Sequence, residues 1–296
     1  MSATCSVIIA STNRPLIVKE AIFSLLEQTF QPIEIVVSVI KEEDFPNPEK
    51  EFPPHVRRVI SPPGLTTQRN FGFKSLTQKT DFVSYIDDDV ILHRDYLKNL
   101  SEIFDKREKA VCVMGHLLVN GGITLEEAKA LCNSPPEDPN EQKEKYYATS
   151  ATWGSLYGCN MSFKWEFLEQ EKFDERLPLY SEMEDTDMGT RARRAGEVGY
   201  YFACVGVHLR TPSGRINYRM HGFSQIMNPY YLTCKGTMPK ENIKFYILKR
   251  MIVNLTFMFF IQQTKKRFGL LRGNIYALQN ILRGKINPEL ILNLKS

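Results

Sequence analysis

The sequence predicts an open α/β fold in which a mixed, mainly parallel sheet is flanked by helices. Two observations carry this prediction: short β-branched runs alternate with segments of helical periodicity, and polar or acidic residues directly follow the strands. Parallel strands are buried on both faces, so apolar runs without alternation are typical of them. With 296 residues, of which 43% are hydrophobic and 24% are charged, the chain can bury a core of this kind.

The first strand–helix–strand unit spans residues 5–39. Residues 5–10 are a β-branched run, and the polar turn that follows ends at Pro15, a residue suited to the first turn of a helix. Apolar residues at helical spacing predict a helix over 16–28, and residues 33–39 predict the second strand. A connection of this length joins parallel strands.

The next elements lead to the first acidic group. Residues 41–54 are acidic and rich in proline and predict a loop, which is followed by a third strand at 56–60. A helix is predicted over 66–77, and the apolar run at 82–86 predicts a fourth strand that ends at three carboxylates. Further along, Gly121 and Gly122 predict a turn, and residues 132–145 predict a surface loop or lid.

Asp87, Asp88 and Asp89 follow a strand that is expected to be buried. Adjacent carboxylates repel one another, so a cation is expected there, and Mg²⁺ or Mn²⁺ shared with a substrate phosphate is the simplest one. A solvated turn or a helix cap is the alternative. A calcium-binding EF-hand loop is excluded, because its glycine and glutamate positions hold Leu92 and Lys98.

A second acidic group at residues 182–188 precedes a basic stretch that ends at a glycine. This order predicts a helix that begins with acids and ends with cations, as the helix dipole favours. Glu184 and Asp185 are then either first-turn acids with a structural role or carboxylates of an active site. Asp187 is spaced to pair with Arg191 one helical turn later.

Charge and cysteine usage indicate the setting in which the chain folds. Residues 235–296 hold twelve Lys and Arg against two acids, so a basic C-terminal part follows a mildly acidic body. Six cysteines are scattered without a CxxC pair, which favours reduced thiols over zinc ligands or disulfides. The first strand begins close to Met1, so we expect no signal peptide and folding in the cytoplasm.

The C-terminal part predicts two helices. The apolar run at 251–261 is shorter than the ~20 residues of a membrane span and contains Asn254, so an amphipathic helix in the plane of a membrane surface is favoured. Packing on the rest of the chain or at a dimer interface is the alternative. The second helix is predicted over 268–284. Its apolar face is formed by Leu271, Ile275, Leu278 and Leu282.

The order of motifs resembles that of the family 2 inverting glycosyltransferases with the GT-A (Rossmann-like) fold. The resemblance covers about residues 5–210. The matching motifs are SVII with TNR at 6–14, QRNFG at 68–72, IDDD at 86–89, GCNMSFK at 158–164, FDE at 173–175 and EDTD at 184–187, followed by Arg191 and Gly196. The DxD element is common by itself, whereas this ordered set is specific.

The resemblance implies a site divided between the two acidic groups. Asp89 would hold a divalent cation on the donor diphosphate with help from Asp87, while Asp88 has the weakest claim among the nucleotide-sugar contacts. Asp185 would be the general base, with Glu184 beside it. The helix start favours the ionised form of Asp185, and the neighbouring carboxylate opposes it.

Further roles follow from the same resemblance. The implied nucleotide-sugar contacts are Asp87, Asp88, Thr12, Asn13, Arg14, Arg69 and Asn70. The implied acceptor-side residues are Trp153, Gly158 and Asn160. His208 would lie near the metal or diphosphate, and a structural histidine explains it equally well.

The implied activity is transfer of a hexose from a UDP- or dTDP-sugar to a hydroxyl of a polysaccharide or glycolipid, in bacterial surface-polysaccharide synthesis, with Mn²⁺ or Mg²⁺ as cofactor. The implied domains are a catalytic domain at 1–235 and a basic amphipathic extension at 236–296, which would hold the protein on the inner face of the membrane. The family's acidic turn after the second strand is absent. Either Glu42 or Asp44 replaces it or the contact is missing, so the identity of the nucleotide, uridine or thymidine, stays open.

Two other functions are weighed against this one. A nucleotidyltransferase uses similar carboxylates, but the glycine-rich phosphate loop expected near the first strand is missing. A non-catalytic nucleotide-sugar-binding or scaffold protein would share the fold without turnover. No nucleic-acid partner is expected, because the Phe and Met content of the tail suits lipid or protein packing. The sequence does not decide the oligomeric state, and a homodimer is one of the alternatives.

Overall fold

A computed structural model describes residues 3–46, 51–135, 145–149, 156–211, 217–241, 243–257 and 264–294. Within these ranges the strands are β1 Cys5–Ser11, β2 Glu34–Val39, β3 Val56–Ile60, β4 Phe82–Ile86, β5 Val90–Leu92, β6 Ala110–Asn120, β7 Tyr146–Ala148, β8 Asn160–Lys164 and β9 Glu197–His208. The helices are α1 Pro15–Leu26, α2 Leu65–Lys74, α3 Tyr96–Lys106, α4 Leu125–Asn133, α5 Trp165–Gln170, α6 Glu184–Ala195, α7 Tyr218–Lys235, α8 Ile243–Phe257 and α9 Thr264–Leu282. Short 3-10 segments lie at Glu42–Asp44 and Pro288–Asn293.

These strands form one sheet in the order β3-β2-β1-β4-β8-β6-β9-β5, with β7 paired to β9. β3, β2, β1 and β4 are parallel to one another, and β8 runs antiparallel between β4 and β6. β9 is parallel to β6. The predicted mixed sheet flanked by helices is confirmed, and the four strands predicted in the first 86 residues are present.

This topology brings distant parts of the chain to one edge of the sheet. Because β8 reverses direction between β4 and β6, the strands β1, β4, β6 and β9 all end at the same edge, where β8 begins. Ile86 pairs with Asn160, and Val90 pairs with His208. The acidic triplet after β4 therefore lies beside the start of β8 and the end of β9.

Both faces of the sheet are buried, as the unbroken apolar runs predict. Val7, Ile9 and Val37 belong to one core cluster together with residues of α1, whereas Ile8 and Tyr85 belong to the cluster on the opposite face. Burying each such side chain contributes about 1.5–3 kcal/mol. The strand ends are thus fixed by packing on both faces of the sheet. All six cysteines are free thiols.

The loop predicted at 132–145 differs from the structure at its start. Cys132 and Asn133 belong to the last turn of α4, and Cys132 is buried in a small cluster with Ile91 and Val207. Its thiol lies 3.2 Å from the carbonyl oxygen of Ile91. Packing against the sheet extends the helix past the point where the proline- and acid-rich composition predicts a loop. Residues 136–144 lie outside the described ranges.

The three C-terminal helices pack against one another, and both helices predicted there are present as α8 and α9. The face of α9 that packs differs from the predicted one. Ile275 and Leu282 are 42% and 79% exposed. The buried face consists instead of Leu270, Gly273, Asn274, Ala277 and Asn280. Small residues face α7 because the helices approach too closely for large ones: a Cβ on Gly273 would lie 2.0 Å from the carbonyl oxygen of Arg219.

Candidate active site

Asp87, Asp89 and His208 converge at the sheet edge. Each offers one ligand atom, and these atoms lie within 4.8 Å of one another. Asp89 and His208 are buried and Asp87 is half-buried. His208 Nε2 is 3.0 Å from Asp89 Oδ1, and the backbone N–H of Thr211 donates to Asp89 Oδ2 at 2.8 Å. Two carboxylates and one imidazole are thus fixed around a common point.

The second ring nitrogen of His208 orients the ring. Nδ1 lies 3.0 Å from the amide oxygen of Asn120, whose side chain also pairs with the Tyr157 hydroxyl. Because Nδ1 is paired with Asn120, Nε2 is the ring nitrogen that faces Asp89. One imidazole nitrogen and two carboxylates directed at a common point are a donor set that fits a divalent cation.

Asp88 has a different role from its two neighbours. It is buried, accepts a hydrogen bond from Ser11 Oγ at 2.6 Å and pairs with Arg14 Nη1 at 2.8 Å. Arg14 Nη1 is also 3.6 Å from Asp89 Oδ2. Asp88 therefore ties the end of β4 to the end of β1, in agreement with its weak claim as a ligand contact.

Burial and partners act differently on the three acids. Burial raises the pKa of Asp88 to about 6, although Arg14 and Ser11 oppose the rise. Burial also raises the pKa of Asp87 against the effect of Arg69. Burial would raise the pKa of Asp89 too, but the hydrogen bond and charge of His208 lower it below its ordinary value. Asp89 is therefore the carboxylate of this group most strongly held in its ionised form.

Arg69 connects the two acidic groups. Its side chain is almost fully buried, with Nη1 2.7 Å from Glu184 Oε1 and Nη2 3.1 Å from Asp87 Oδ1. Nη2 also donates to the carbonyl oxygen of Gly158 at 2.7 Å. Burial would lower the pKa of Arg69, but Glu184 and Asp87 raise it, so the guanidinium stays charged. One buried cation thus holds a carboxylate from each acidic group.

Gly158 allows the approach of the second acidic group to the sheet. A Cβ at this position would lie 2.7 Å from Glu184 Oε1 and 3.7 Å from Asp185 Oδ2. Asp185 is half-buried and accepts a hydrogen bond from the backbone N–H of Thr186 at 2.7 Å. The two carboxylates therefore lie against the turn that precedes β8, next to Asp87.

Glu184 and Asp185 share a raised affinity for protons. Burial, followed by the charge of Asp185, raises the pKa of Glu184 to about 7, against the effect of Arg69. Burial raises the pKa of Asp185 as well, although backbone hydrogen bonds from Thr186 and Gly158 oppose the rise. A carboxylate pair that binds a proton near neutral pH suits general base chemistry.

The loop that leads into α6 has an unusual backbone. Leu179, Ser181 and Met183 have φ angles of 60°, 53° and 73°, in the left-handed region that costs non-glycine residues roughly 1–2 kcal/mol each. Ser181 Oγ donates to the carbonyl oxygen of Leu177 at 2.6 Å and holds this path. The loop delivers Glu184 and Asp185 to the sheet edge at the first turn of α6.

A cleft opens at the same edge beside the acids. Its walls come from the ends of β1 and β4, the start of α2 and the loop before α6. The lining residues are Ala10, Ser11, Thr12, Arg14, Ile40, Pro63, Gly64, Leu65, Gln68, Asp87, Asp88, Leu179 and Tyr180. Thr12 and Arg14, which the sequence predicts on the nucleotide side, lie on this wall, and the cleft continues to Asp87.

Asn13 and Asp44 form a second polar point near the cleft. The backbone N–H of Asn13, whose φ is 57°, donates to Asp44 Oδ1 at 2.9 Å. Asp44 is buried, and its Oδ2 has no hydrogen-bond partner in the described part of the chain. Glu42, the other predicted substitute, is largely exposed and lies 3.7 Å from Arg58. The unpaired oxygen of Asp44 is therefore the acceptor at this end of the sheet.

Several predicted site residues lie elsewhere. Asn70 turns away from the cleft and bonds the Phe173 backbone through both amide atoms at 2.9 Å. Asn160 is buried and donates to the carbonyl oxygen of Gly115 at 3.1 Å, so it braces β6. Trp153 lies outside the described residues. Neither Asn70 nor Asn160 directs its side chain to the acids.

Asp187 is structural, as its spacing predicts. Its carboxylate is 2.8 Å from Arg191 Nη2 and 2.9 Å from Lys235 Nζ, and it accepts a hydrogen bond from Thr237 Oγ1. It therefore joins α6 to the end of α7.

Sequence reasoning missed Asn120 and Tyr157, which orient His208. Asn120 ends a strand directly before a glycine pair, which marks a strand end at the functional edge. Tyr157 carries no signal of its own, since its contact with Asn120 joins residues that are 37 positions apart in the sequence.

The comparisons with known proteins agree with this geometry. A family model described as glycosyl transferase family 2 matches residues 6–167, more than half of the chain. No curated protein matches the sequence significantly. Among solved structures, the chain is similar to GalNAc-T7, crystallised with UDP, GalNAc and Mn²⁺, with a TM-score of 0.54 and 16% identity over 72% of this chain and 44% of that one.

A second similar structure is S. aureus TarS, with a TM-score of 0.52 and 14% identity over 97% of this chain and 51% of that one. The chain thus spans about half the length of either protein. Identities this low show a shared fold, while the family model extends from β1 through the acidic triplet to α5. The chain belongs to glycosyl transferase family 2 and has the GT-A fold of a glycosyltransferase.

Proposed function

We propose that the protein is a metal-dependent inverting glycosyltransferase that moves a sugar from a UDP- or dTDP-sugar to a hydroxyl of a polysaccharide or glycolipid. The observation that carries the proposal is the meeting of two carboxylate groups beside one cleft. Asp87, Asp89 and His208 form a cation site, and Asp185 lies next to it across Gly158. A displacement at an anomeric carbon needs both a stabilised leaving group and a base.

The donor occupies the cleft along the ends of β1 and β4. Thr12 and Arg14 lie on its wall, and Arg14 brings a positive charge within reach of a diphosphate. Asp44 Oδ2 is a buried acceptor next to this wall that suits the N3–H of a pyrimidine base. Uracil and thymine share that donor, so Asp44 suits either pyrimidine nucleotide. The choice between UDP and dTDP then depends on whether the site accepts the thymine methyl group.

Asp87, Asp89 and His208 would hold the cation. Two carboxylates and an imidazole favour Mn²⁺ over Mg²⁺, because Mg²⁺ prefers ligand sets made only of oxygen. When bound, such a cation stabilises the negative charge that develops on the leaving diphosphate. Arg14, fixed by Asp88, adds a positive charge beside Asp89.

Asp185 is the proposed general base. It takes the proton of the acceptor hydroxyl while that oxygen forms a bond to the anomeric carbon and the bond from this carbon to the diphosphate breaks. Attack from the side opposite the leaving group inverts the configuration. Glu184 is held by Arg69 and supplies a like charge beside Asp185, which raises the affinity of the pair for the proton.

We also propose that residues 1–235 form the catalytic domain and that residues 236–296 attach it to an anionic membrane surface. The support is the basic charge of the extension and the apolar side chains that α8 and α9 turn outward. A peripheral position on the inner face of the cell membrane would bring a glycolipid or growing polysaccharide to Asp185. No helix among the described residues is long and apolar enough to cross a bilayer.

The direct test incubates the purified protein with a panel of UDP- and dTDP-sugars and Mn²⁺ or Mg²⁺, and measures release of the nucleoside diphosphate with and without glycan acceptors. We expect metal-dependent release from one donor class. Pyrophosphate release from a nucleoside triphosphate would identify a nucleotidyltransferase instead. Donor binding without turnover, with every metal and acceptor tried, would favour a non-catalytic binding protein.

A further inference from the structure

The outward face of α8 is apolar. Phe245, Leu248, Ile252 and Leu255 follow one another at helical spacing and are all exposed, with Phe245 69% exposed. Ile243 and Asn254 lie on the opposite face and are buried. A helix on the surface of a water-soluble body turns its large apolar side chains inward, so this arrangement is reversed.

α9 shows the same reversal. Phe268, Ile275 and Leu282 recur every seven residues along the face opposite the packed one, and all three are exposed. The two helices thus carry separate apolar stripes that the rest of the described chain leaves uncovered. Contiguous exposed apolar surface marks an interaction site.

The packing between the helices is of the kind found in lipid. A Cβ on Gly222 would lie 2.0 Å from the carbonyl oxygen of Leu270, so α7 and α9 meet through small residues. Asn254 Nδ2 donates to Asn274 Oδ1 at 2.8 Å, and both side chains are buried. Helices whose surroundings are as apolar as their side chains associate through small residues and amide hydrogen bonds.

The charge of α8 and α9 indicates what kind of partner covers the two apolar stripes. Between residues 243 and 282 the sequence holds seven Lys and Arg and no Asp or Glu. Lys244 and Lys249 are exposed on either side of the α8 stripe, and Arg272 is exposed beside the α9 stripe. A second copy docking through the same face would bring like charges together, whereas an anionic surface complements them.

We propose that the outward faces of α8 and α9 lie on an anionic lipid bilayer. Phe245, Leu248 and Ile252 of α8, together with the α9 stripe, enter the boundary between headgroups and acyl chains. Lys244 and Lys249 contact lipid phosphates. This inference names the surface behind the proposed membrane attachment, and it stands or falls independently of the catalytic assignment.

The test uses the full-length protein and flotation with vesicles of phosphatidylcholine alone or mixed with phosphatidylglycerol. We expect binding to the mixed vesicles and a loss of partitioning of about tenfold or more for each of Phe245→Ser and Ile252→Ser. The matched control is Leu16→Ser, which removes an equally exposed apolar residue from α1 and should leave binding unchanged. Replacing Lys244 and Lys249 with Gln should weaken binding by about fivefold for each cation.

A local readout identifies the buried face. The Ile252→Trp variant should show blue-shifted emission and quenching by brominated phosphatidylcholine in mixed vesicles, whereas Leu16→Trp should show neither. Equal binding of wild type and Phe245→Ser, absence of quenching, or a stripe variant that instead dissociates a dimer in sedimentation velocity would overturn the inference.

Sugar-donor hydrolysis in solution separates this inference from the proposed function. The stripe variants should hydrolyse the donor at the wild-type rate without vesicles, because the stripes lie away from the cleft. Loss of vesicle binding in the stripe variants with hydrolysis intact supports this inference. A wild type that hydrolyses the donor but does not bind the mixed vesicles refutes this inference alone, whereas hydrolysis absent in the wild type and in all variants refutes the proposed function alone.

Discussion

The α/β body and the C-terminal helices place their side chains in opposite ways. In the body, large apolar residues are buried on both faces of the sheet, and the buried acids of the site face cations: Asp88 faces Arg14, and Asp87 shares Arg69 with Glu184. In α8 and α9, glycine, alanine and asparagine are buried beside Ile243 and Leu270, the large apolar residues of the outward stripes are exposed, and the two helices hold no Asp or Glu of their own.

The difference teaches that the two regions are built for different surroundings. Charge compensation in the body keeps ionised groups beside the cleft, at a cost in desolvation that only close partners offset. The helices carry cations and apolar stripes on their exposed faces, which is favourable when a second phase supplies both anions and hydrocarbon.

The largest effect is expected at Asp185. Replacing it with Asn keeps its size but removes the base, so kcat should fall by about 10²- to 10⁴-fold. Donor affinity should persist. The measurement is the transfer rate under saturating donor, together with donor binding by calorimetry.

Asp187→Asn is the matched control in the same helical turn. Asp187 pairs with Arg191 and Lys235 away from the cleft, so this variant should lose stability and keep most of its kcat. Equal kcat values for wild type and Asp185→Asn would reject the assignment of the base.

The next largest effect, on stability, is expected at Arg69. Arg69→Met leaves two carboxylates without their shared buried cation, so the free energy of unfolding should fall by about 3–5 kcal/mol. Lys235→Met is the control, because Asp187 keeps Arg191 and Asp174 keeps the Tyr231 hydroxyl as a partner, so the loss should stay below about 1 kcal/mol. Urea unfolding of both variants measures the difference. Similar losses of stability would contradict the conclusion that Arg69 is the shared cation of the two acidic groups.

Two substitutions on opposite faces of α9 test which face packs within the protein. Gly273→Ala places a methyl group against the Arg219 backbone and should destabilise the protein by about 1–3 kcal/mol. Ile275→Ser, two residues away on the exposed face, should change stability in solution by less than about 0.5 kcal/mol. Thermal unfolding without lipid measures both, and a larger loss for Ile275→Ser would show that its face packs within the protein.

The acid limb of the pH–rate profile tests the carboxylate pair. The base acts only when deprotonated, and burial and mutual repulsion raise the pKa of Glu184 to about 7. Burial also raises the pKa of the base, Asp185, so activity should decline, as pH falls, at a pH above the ordinary range of a carboxylate. Glu184→Gln removes the like charge and should move this limb to lower pH, by roughly one unit or tenfold in rate at fixed acidic pH. An unchanged limb would mean that another group titrates.

The two regions also differ in how much the sequence predicts. β1, β2, β3 and β4 are predictable because buried parallel strands require β-branched apolar runs, and the acids stand out because they follow such a run. The contacts of Asn120, Tyr157 and Arg69 are not predictable, since they depend on β8 reversing between β4 and β6.

On α9 the periodicity of Ile275 and Leu282 is real, but it reveals only that one face is apolar. The side that packs is decided by the close approach at Gly273, which a sequence pattern does not report. The left-handed backbone conformation of Ser181 and Met183 is likewise not predictable, because neither position holds a glycine.

The proposed cation site of Asp87, Asp89 and His208 would join the donor diphosphate to the protein, and metal-dependent nucleotide binding tests it most directly. Thermal unfolding with UDP or dTDP, with and without Mn²⁺, measures it in wild type and in Asp89→Asn. We predict that the preferred nucleotide at 100 times its Kd stabilises the wild type by about 2.7 kcal/mol with Mn²⁺ and by far less without it, and that Asp89→Asn loses this dependence. Equal stabilisation with and without metal, or in wild type and Asp89→Asn, would contradict the account.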